Sequence, residues 1–414
     1  MRSIDSRSPR AWPSVLAWAL AMPVVLGCAE DPAVDGDAGT VDVELVMSTA
    51  VITADEFFGL VFPVETLDET RTIPADVGLE IPAGGWIAGI PGTSSFLVVA
   101  EGNLIQQWTL DADGRFVAGE TFSLAGFGVT DNVRAIRVLD ETRGWLAVEG
   151  LLVEFDPGAM AIVRSIELTE LSRDGWTLSA SLSGRSYLRG ESLFFGFQWY
   201  RDGFDYRPEM GLAHIDLASG DVTVTTREEC GEVDSGYVDE DGDIYWVTGG
   251  RAPLQDLLVS RLDPASGETP TSCLVRLPAG SIGLDDAEVT DLTATEGIVA
   301  AELAPLGGGG LIRVLDQAAF DSYEVTEDTT AFELAGAGLW TWQRFDPDTL
   351  TRAPLEGLPS AGVLAPSYPL RDGSLLPGPP AADFSSTTYY RVDLDGSVTQ
   401  SITLPGAALG VFEL

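Results

Sequence analysis

The sequence predicts an all-β fold, a β-propeller of seven blades with eight as the alternative, closed by N- and C-terminal strands that share one blade. Three observations carry this. Seven times an apolar, strand-like run ends at an aspartate, passes through a turn and resumes as a second strand-like run, at Asp111, Asp156, Asp216, Asp263, Asp316, Asp346 and Asp393. Successive spacings are 45, 60, 47, 53, 30 and 47 residues, with a mean of 47, which is the period of a propeller blade. Runs such as SSFLVVAEG, RGWLAVEG, DIYWVTGG and LIRVLDQ are rich in β-branched and aromatic residues, helical periodicity is hardly visible, and 46 glycines with 24 prolines suit many turns.

Along the chain, residues 1–27 read as an export signal. Arg2, Arg7 and Arg10 precede an apolar stretch from Ala11 to Leu26 that Pro13 and Pro23 interrupt. At 16 residues it falls short of the roughly 20 that a spanning helix needs. Val25-Leu26-Gly27-Cys28 resembles the bacterial lipoprotein processing box, which makes Cys28 the lipidated residue; an ordinary secretory signal would favour an A-x-A-like site, and none lies here. Acyl chains contribute about 0.8 kcal/mol per buried methylene, enough to hold the protein at a membrane through its N-terminal lipid. Ala29 stands where an aspartate would mark inner-membrane retention, so the outer membrane of the cell envelope is expected. Residues 28–44 are acidic and poor in large apolar side chains, a flexible tether.

Residues 45–414 form the expected propeller. From Val133 to Leu168, VRAIRVL, RGWLAVE, LLVEF and AIVRSIEL supply four consecutive strands of one blade. A weaker eighth unit, VFPVETLDETRTI, is centred on Asp68. It is explained if the terminal ALGVFEL forms the innermost strand of a blade whose other strands come from residues near 47–75, which leaves no open sheet edge. The 30-residue gap between Asp316 and Asp346 is too short for a full blade and favours seven.

Net charge is −41, with 64 acidic side chains against 23 basic ones, all of them arginine. Such a surface repels a phosphate backbone, so nucleic acid is excluded as a partner. His214 is the only histidine and is expected on the third strand of a blade, as a structural residue. Neither a G-x-S-x-G elbow nor a Cys-x-x-Cys pair occurs, and Gly307 to Gly310 lack the Lys-Ser/Thr of a phosphate loop. No cofactor is expected. Cys230 and Cys273 are about one blade apart and can form a disulfide if their Cα atoms come within about 7 Å. The cluster from Asp239 to Asp243 reads as a tight turn between strands, with Asp239, Asp241 and Asp243 a weaker calcium candidate whose spacing is wrong for an EF-hand.

Between Phe194 and Tyr206 lie seven aromatics in 13 residues. Alternation places Phe195, Phe197 and Trp199 on one strand face in the blade core. Tyr200, Arg201, Phe204, Tyr206 and Arg207 then fall on an exposed loop, where rings beside guanidinium groups suit a planar or sugar-like anionic ligand.

The segments MSTAVITADEFFGLVFPVETLDET, IQQWTLDADGRFVAGETFSLAGFGV and LLVEFDPGAMAIVRSIELTEL resemble the lipoproteins that accompany myxochelin-type siderophore genes in myxobacteria. The likeness is most specific at Asp156-Pro157-Gly158-Ala159-Met160, preceded here by Phe155 where the pattern commonly has tryptophan. It implies an accessory of iron–siderophore uptake, with a siderophore or an outer-membrane receptor as partner and no catalytic residues. Two other classes compete. One is a protein–protein scaffold docking through its acidic face; the other is a carboxylate-based lyase or glycosidase at the channel, which needs two facing acids near the axis.

Overall fold

Seven hydrophobic cores, each filling the seam between two neighbouring sheets, organise the computed structural model into a ring. The structure describes residues 43–414 apart from 53–56, 83–86, 101–103, 128–134, 149, 181–185, 202–204, 232, 249–251 and 267–269. The signal segment, Cys28 and nearly all of the tether lie outside these residues. Among the described residues, no helix is long and apolar enough to cross a membrane.

The seven sheets are blades of a β-propeller. Blade 1 has Ala407–Glu413 innermost, then Leu45–Ile52, Phe57–Val64 and Leu79–Pro82. Blades 2 and 3 run in sequence order through Ile87–Gly89, Ser95–Ala100, Leu104–Leu110, Phe116–Ser123 and Ala135–Asp140, Arg143–Val148, Leu151–Asp156, Ala161–Glu167. In blade 4 the inner strand is split into Thr177–Ala180 and Ser186–Arg189, both paired with Ser192–Arg201, followed by Asp205–Asp216 and Val222–Arg227. Blade 5 comprises Val233–Val238, Ile244–Thr248, Cys273–Leu277 and Glu288–Asp291; blade 6, Ala300–Leu306, Gly309–Leu315, Trp340–Asp346 and Thr351–Pro354. Blade 7 comprises Ser367–Pro369, Leu375–Pro377, Ser386–Val392 and Val398–Pro405. The predicted closure is present, and it is doubled: Arg71–Thr72, from the last connection of blade 1, adds a parallel strand to the outer edge of blade 7.

Side chains of the second strands alternate between two seams. Along Arg143–Val148, Trp145 and Ala147 enter the core shared with blade 4, while Leu146 and Val148 enter that shared with blade 2. Both strand faces are therefore dry, which is why the second strands read as continuous apolar runs.

Connections between inner and second strands, and between third and outer strands, share one face of the ring. There the predicted aspartates fold the turns. The Asp111 carboxylate accepts the N–H groups of Asp113 and Arg115, both at 2.9 Å, and Asp216 accepts those of Ala218 and Ser219 at the same distance. Asp156 and Asp346 accept from Ala159 at 2.8 Å and from Asp348 and Thr349 at 3.0 and 3.1 Å. Each turn then needs a left-handed residue. Glycine provides it at Gly114, Gly220 and Gly396, but Met160 and Leu350 adopt φ of 47° and 58° with side chains of their own. That conformation costs about 1–2 kcal/mol, which packing the two side chains into adjacent cores offsets.

Two of the seven aspartate units have a different structure. Asp263 follows the helix Ala252–Leu262, and Asp316 caps the helix Gln317–Ser322 by accepting from Ala318 and Ala319 at 3.0 and 3.1 Å. Both lie between second and third strands, on the opposite face, so the short gap from Asp316 to Asp346 joins two kinds of connection. Leu254, Leu257 and Leu258 recur at helical spacing and are buried, a period hidden inside a sequence dominated by strands. A further helix, Ala331–Gly336, begins with a capping box made by Thr330 and Glu333 and packs its Leu334 in the same small core as Leu254 and Phe320.

Arginines lock the turn face across seams. Arg143 donates to the Leu217 carbonyl at 2.7 Å, Arg189 to those of Gly242 and Pro278 at 3.2 and 3.1 Å, Arg344 to Leu394 at 2.8 Å, and Arg371 to Leu414 and Glu413 at 2.6 and 3.0 Å. A guanidinium can reach several carbonyls of a neighbouring turn at once, which an ammonium does less well.

Cys230, in the connection from blade 4 to blade 5, is joined by a disulfide to Cys273 at the start of the third strand of blade 5, with Cα atoms 5.9 Å apart. The bond closes a loop spanning 43 residues. Reduction, or Cys230→Ser with Cys273→Ser, is expected to lower stability by about 2–4 kcal/mol in denaturant titration. An unchanged midpoint would show that the loop is already constrained without it.

Candidate functional site

Blade 4 carries the longest strands among the described residues. Ser192–Arg201 and Asp205–Asp216 have 10 and 12 residues, against at most 8 elsewhere. Their surplus length forms a hairpin on the face opposite the short turns, and the helix Ala252–Leu262 lies against its second strand. Phe195, Phe197 and Trp199 face the core shared with blade 3, each at most 1% exposed, as alternation predicts.

The segment predicted as a loop is therefore strand. Tyr200 pairs with Tyr206 and Arg201 with Asp205, and the Tyr200 and Tyr206 ring centroids lie 5.9 Å apart. Phe204 lies outside the described residues. Arg201 pairs with Asp205 and stacks over Trp176, its Cζ 4.5 Å from the ring centroid. Arg207 pairs with Glu209. The two guanidinium groups are thus shared with carboxylates, which narrows the expectation of a strongly cationic site to an aromatic surface edged by neutralised arginines.

Sequence reasoning missed the centre of this arrangement. Glu209 is almost wholly buried and is gripped from two sides, by Arg207 and by Arg173 at 2.6 and 3.2 Å. Burial alone would raise its carboxyl, but the arginine hydrogen bonds outweigh it and hold Glu209 below the usual carboxylate range. Arg173 also lies over Trp199, 4.8 Å from its centroid. The only local signal was an Arg-Pro-Glu step at 207–209; Arg173 and Trp176 come from the preceding connection, which only the fold brings near.

Other expected residues lie apart. His214 is on the third strand of blade 4, its Nε2 2.9 Å from the Ser192 hydroxyl and its ring 4.9 Å from Phe194. Burial lowers its pKa, which keeps the ring neutral near pH 7. Asp239 accepts the Asp243 N–H at 2.8 Å, and Gly242 is left-handed, making this the same Asp-x-Asp-Gly turn as at Asp111 and Asp393. Asp243 is turned inward onto Arg276 at 2.5 Å and the Ala279 N–H at 2.6 Å, while Asp241 is exposed. Among the described residues no group of three or more His, Cys, Asp or Glu is placed to hold a metal ion. A groove of about 270 Å³ on the turn face of blade 6 is lined by Gly307 to Gly310, Arg344 and Arg352.

No family model matches the chain, and no curated protein matches it significantly. Solved structures do. A protein from Bacteroides fragilis provisionally described as a 6-phosphogluconolactonase superposes with a TM-score of 0.51 at 12% identity, over 91% of this chain and 100% of that one. A counterpart from Bacteroides uniformis gives 0.51 at 12% identity, over 90% and 99%. At this identity the likeness concerns the fold, and the chain shares the propeller architecture of both.

Proposed function

We propose that this protein is a lipid-anchored binding propeller of the bacterial cell envelope, an accessory of iron–siderophore uptake whose contact element is the blade 4 hairpin. The observation that carries the reading is the hairpin itself, two strands longer than any others among the described residues, which carry the Tyr200 and Tyr206 rings 5.9 Å apart and, at the next ladder position, Arg201 stacked over Trp176. Aromatic faces beside guanidinium groups suit planar catecholate rings. The lipoprotein box at Cys28 supports an outer-membrane anchor, and the resemblance to siderophore-associated lipoproteins supports the ligand class.

A lyase or glycosidase reading has less support. Glu302, the buried acid of the blade 6 inner strand, points into a seam, where it accepts from the Ser367 N–H at 2.8 Å and lies 3.5 Å from Arg313. A scaffold docking through the acidic surface is the second binding reading, and its complex would weaken steeply with salt.

Calorimetric titration with a ferric catecholate siderophore, with the iron-free compound as control, tests the proposal. Saturable, ferric-selective binding is expected, and Tyr200→Ala with Tyr206→Ala should weaken it at least about 10-fold, since each stacked base or ring typically contributes about 1–3 kcal/mol. These substitutions leave Glu209 with both arginines. Binding that persists at full strength in the double variant would remove the hairpin from the proposal.

A further inference from the structure

Most arginines of the ring have obvious partners, and Arg137 does not. It sits on the innermost strand of blade 3, opposite Trp145 in the ladder, so the two side chains share the face that looks toward blade 4. Its Nε is shut off from solvent and bonded to nothing among the described residues. Two more groups in the same seam are in that condition. The Trp145 Nε1 is buried without an acceptor, and so is the hydroxyl of Ser186, which lies on the inner strand of blade 4 opposite Phe195, a residue of the same core. Arg137 and Ser186 lie on the inner strands of neighbouring blades, each three residues before the end of its strand, at Asp140 and Arg189, and each pairs with a residue of the same seam core.

The chemistry of these groups restricts what can bind them. Guanidinium and indole nitrogens only donate, and a hydroxyl can donate. Three donors buried along one seam call for an acceptor, and a guanidinium matches a planar or tetrahedral oxyanion through paired hydrogen bonds. The nearest carboxylate in the same row of the sheet, Glu154, is opposite Trp145 but already holds Arg164 and Arg143 at 2.5 and 3.6 Å. Burial depresses the Arg137 pKa, with no carboxylate opposing the effect. Elsewhere a chain of net charge −41 repels anions, so an unshared guanidinium at the inner edge of the ring is a local reversal of sign.

We infer that Arg137, Trp145 and Ser186 form an oxyanion site at the inner edge of the seam between blades 3 and 4, reached from the axis of the ring and taking a small carboxylate or a phosphate-type group. This site is separate from the blade 4 hairpin and does not depend on the siderophore reading.

Thermal denaturation and calorimetry of the full chain, with sodium phosphate and sodium acetate titrated against chloride at constant ionic strength, test it. A saturable rise in melting temperature with phosphate assigns a phosphate-type ligand, and one with acetate assigns a carboxylate. Arg137→Met should abolish the response while leaving the anion-free melting temperature at or above that of the parent, because a buried unpaired charge has been removed. Ser186→Ala and Trp145→Phe, milder changes that keep the packing, should each weaken binding about 2- to 10-fold. The inference is overturned if neither anion gives a saturable response, or if the response survives unchanged in these variants.

Discussion

Glu302→Ala is expected to lower the stability of the ring by about 3–5 kcal/mol, because it strands a buried cation. Arg313 is 2% and Glu302 6% exposed, with 3.5 Å between Nη2 and Oε2. The pair does more than neutralise itself. Glu302, on blade 6, accepts from the Ser367 N–H and hydroxyl of blade 7 at 2.8 and 3.1 Å. Arg313 donates to the carbonyls of Val363, at 2.8 Å, and Ala365 on the way to blade 7, and lies 4.8 Å from the centre of the Trp342 ring. Arg313→Ala should cost a similar amount, leaving two carbonyls without their donor and a buried carboxylate without its counter-charge. Glu302→Leu combined with Arg313→Met should recover much of the loss, since apolar side chains of similar volume often replace a buried pair at little net cost. Denaturant titration of the four proteins gives the coupling directly. A loss below about 1 kcal/mol in Glu302→Ala would mean that water reaches the pair.

Ending the chain after Gly406 is expected to abolish cooperative unfolding altogether. The deleted strand is the inner strand of blade 1, paired from Ala50 to Leu45. It also joins three blades: Phe412 packs against Phe96 of blade 2 with centroids 5.6 Å apart, and Arg371 of blade 7 binds the carbonyls of Glu413 and Leu414. Six ladder partners at about 1 kcal/mol per hydrogen bond, plus the apolar area of Val411 and Phe412, are of the order of the whole stability of a domain. The exposed edge of Leu45–Ile52 would then be free to pair with other copies. Size-exclusion chromatography and a melting curve check this; a monomer with a single sharp transition would mean that the parallel Arg71–Thr72 strand suffices to hold the ring.

Much of this architecture was legible because its signals are local. An aspartate that accepts its own turn amides needs nothing beyond three or four residues, so the hairpins at Asp111, Asp156, Asp216 and Asp346 stand out in the sequence, as does Asp393, whose carboxylate accepts the Ser397 hydroxyl of its own turn. Asp263 and Asp316 look alike in sequence because both carboxylates accept local amides, Asp263 in a turn that follows a helix and Asp316 as the cap that begins one. Other features depend on the ring. The arginine clasps join residues 50 to 92 positions apart, except where Arg371 reaches the chain end, and only closure brings them together. Glu209 is of the same kind: its partner Arg173 lies 36 positions away, and nothing in the acidic sequence around it distinguishes a buried carboxylate from dozens of solvated ones.

The entry of the chain gives the ring a front and a rear. Glu44 is held by Val64 and by the last residue, its N–H donating to the Val64 carbonyl and its carbonyl accepting from Leu414, both at 3.0 Å, on the side of the short turns. The described chain thus enters the ring at the rear, beside its last residue. The hairpin of blade 4 and the helices of blades 5 and 6 occupy the front. One face of the ring therefore carries both the entry and the end of the described chain, and the structure added to the blades gathers on the other.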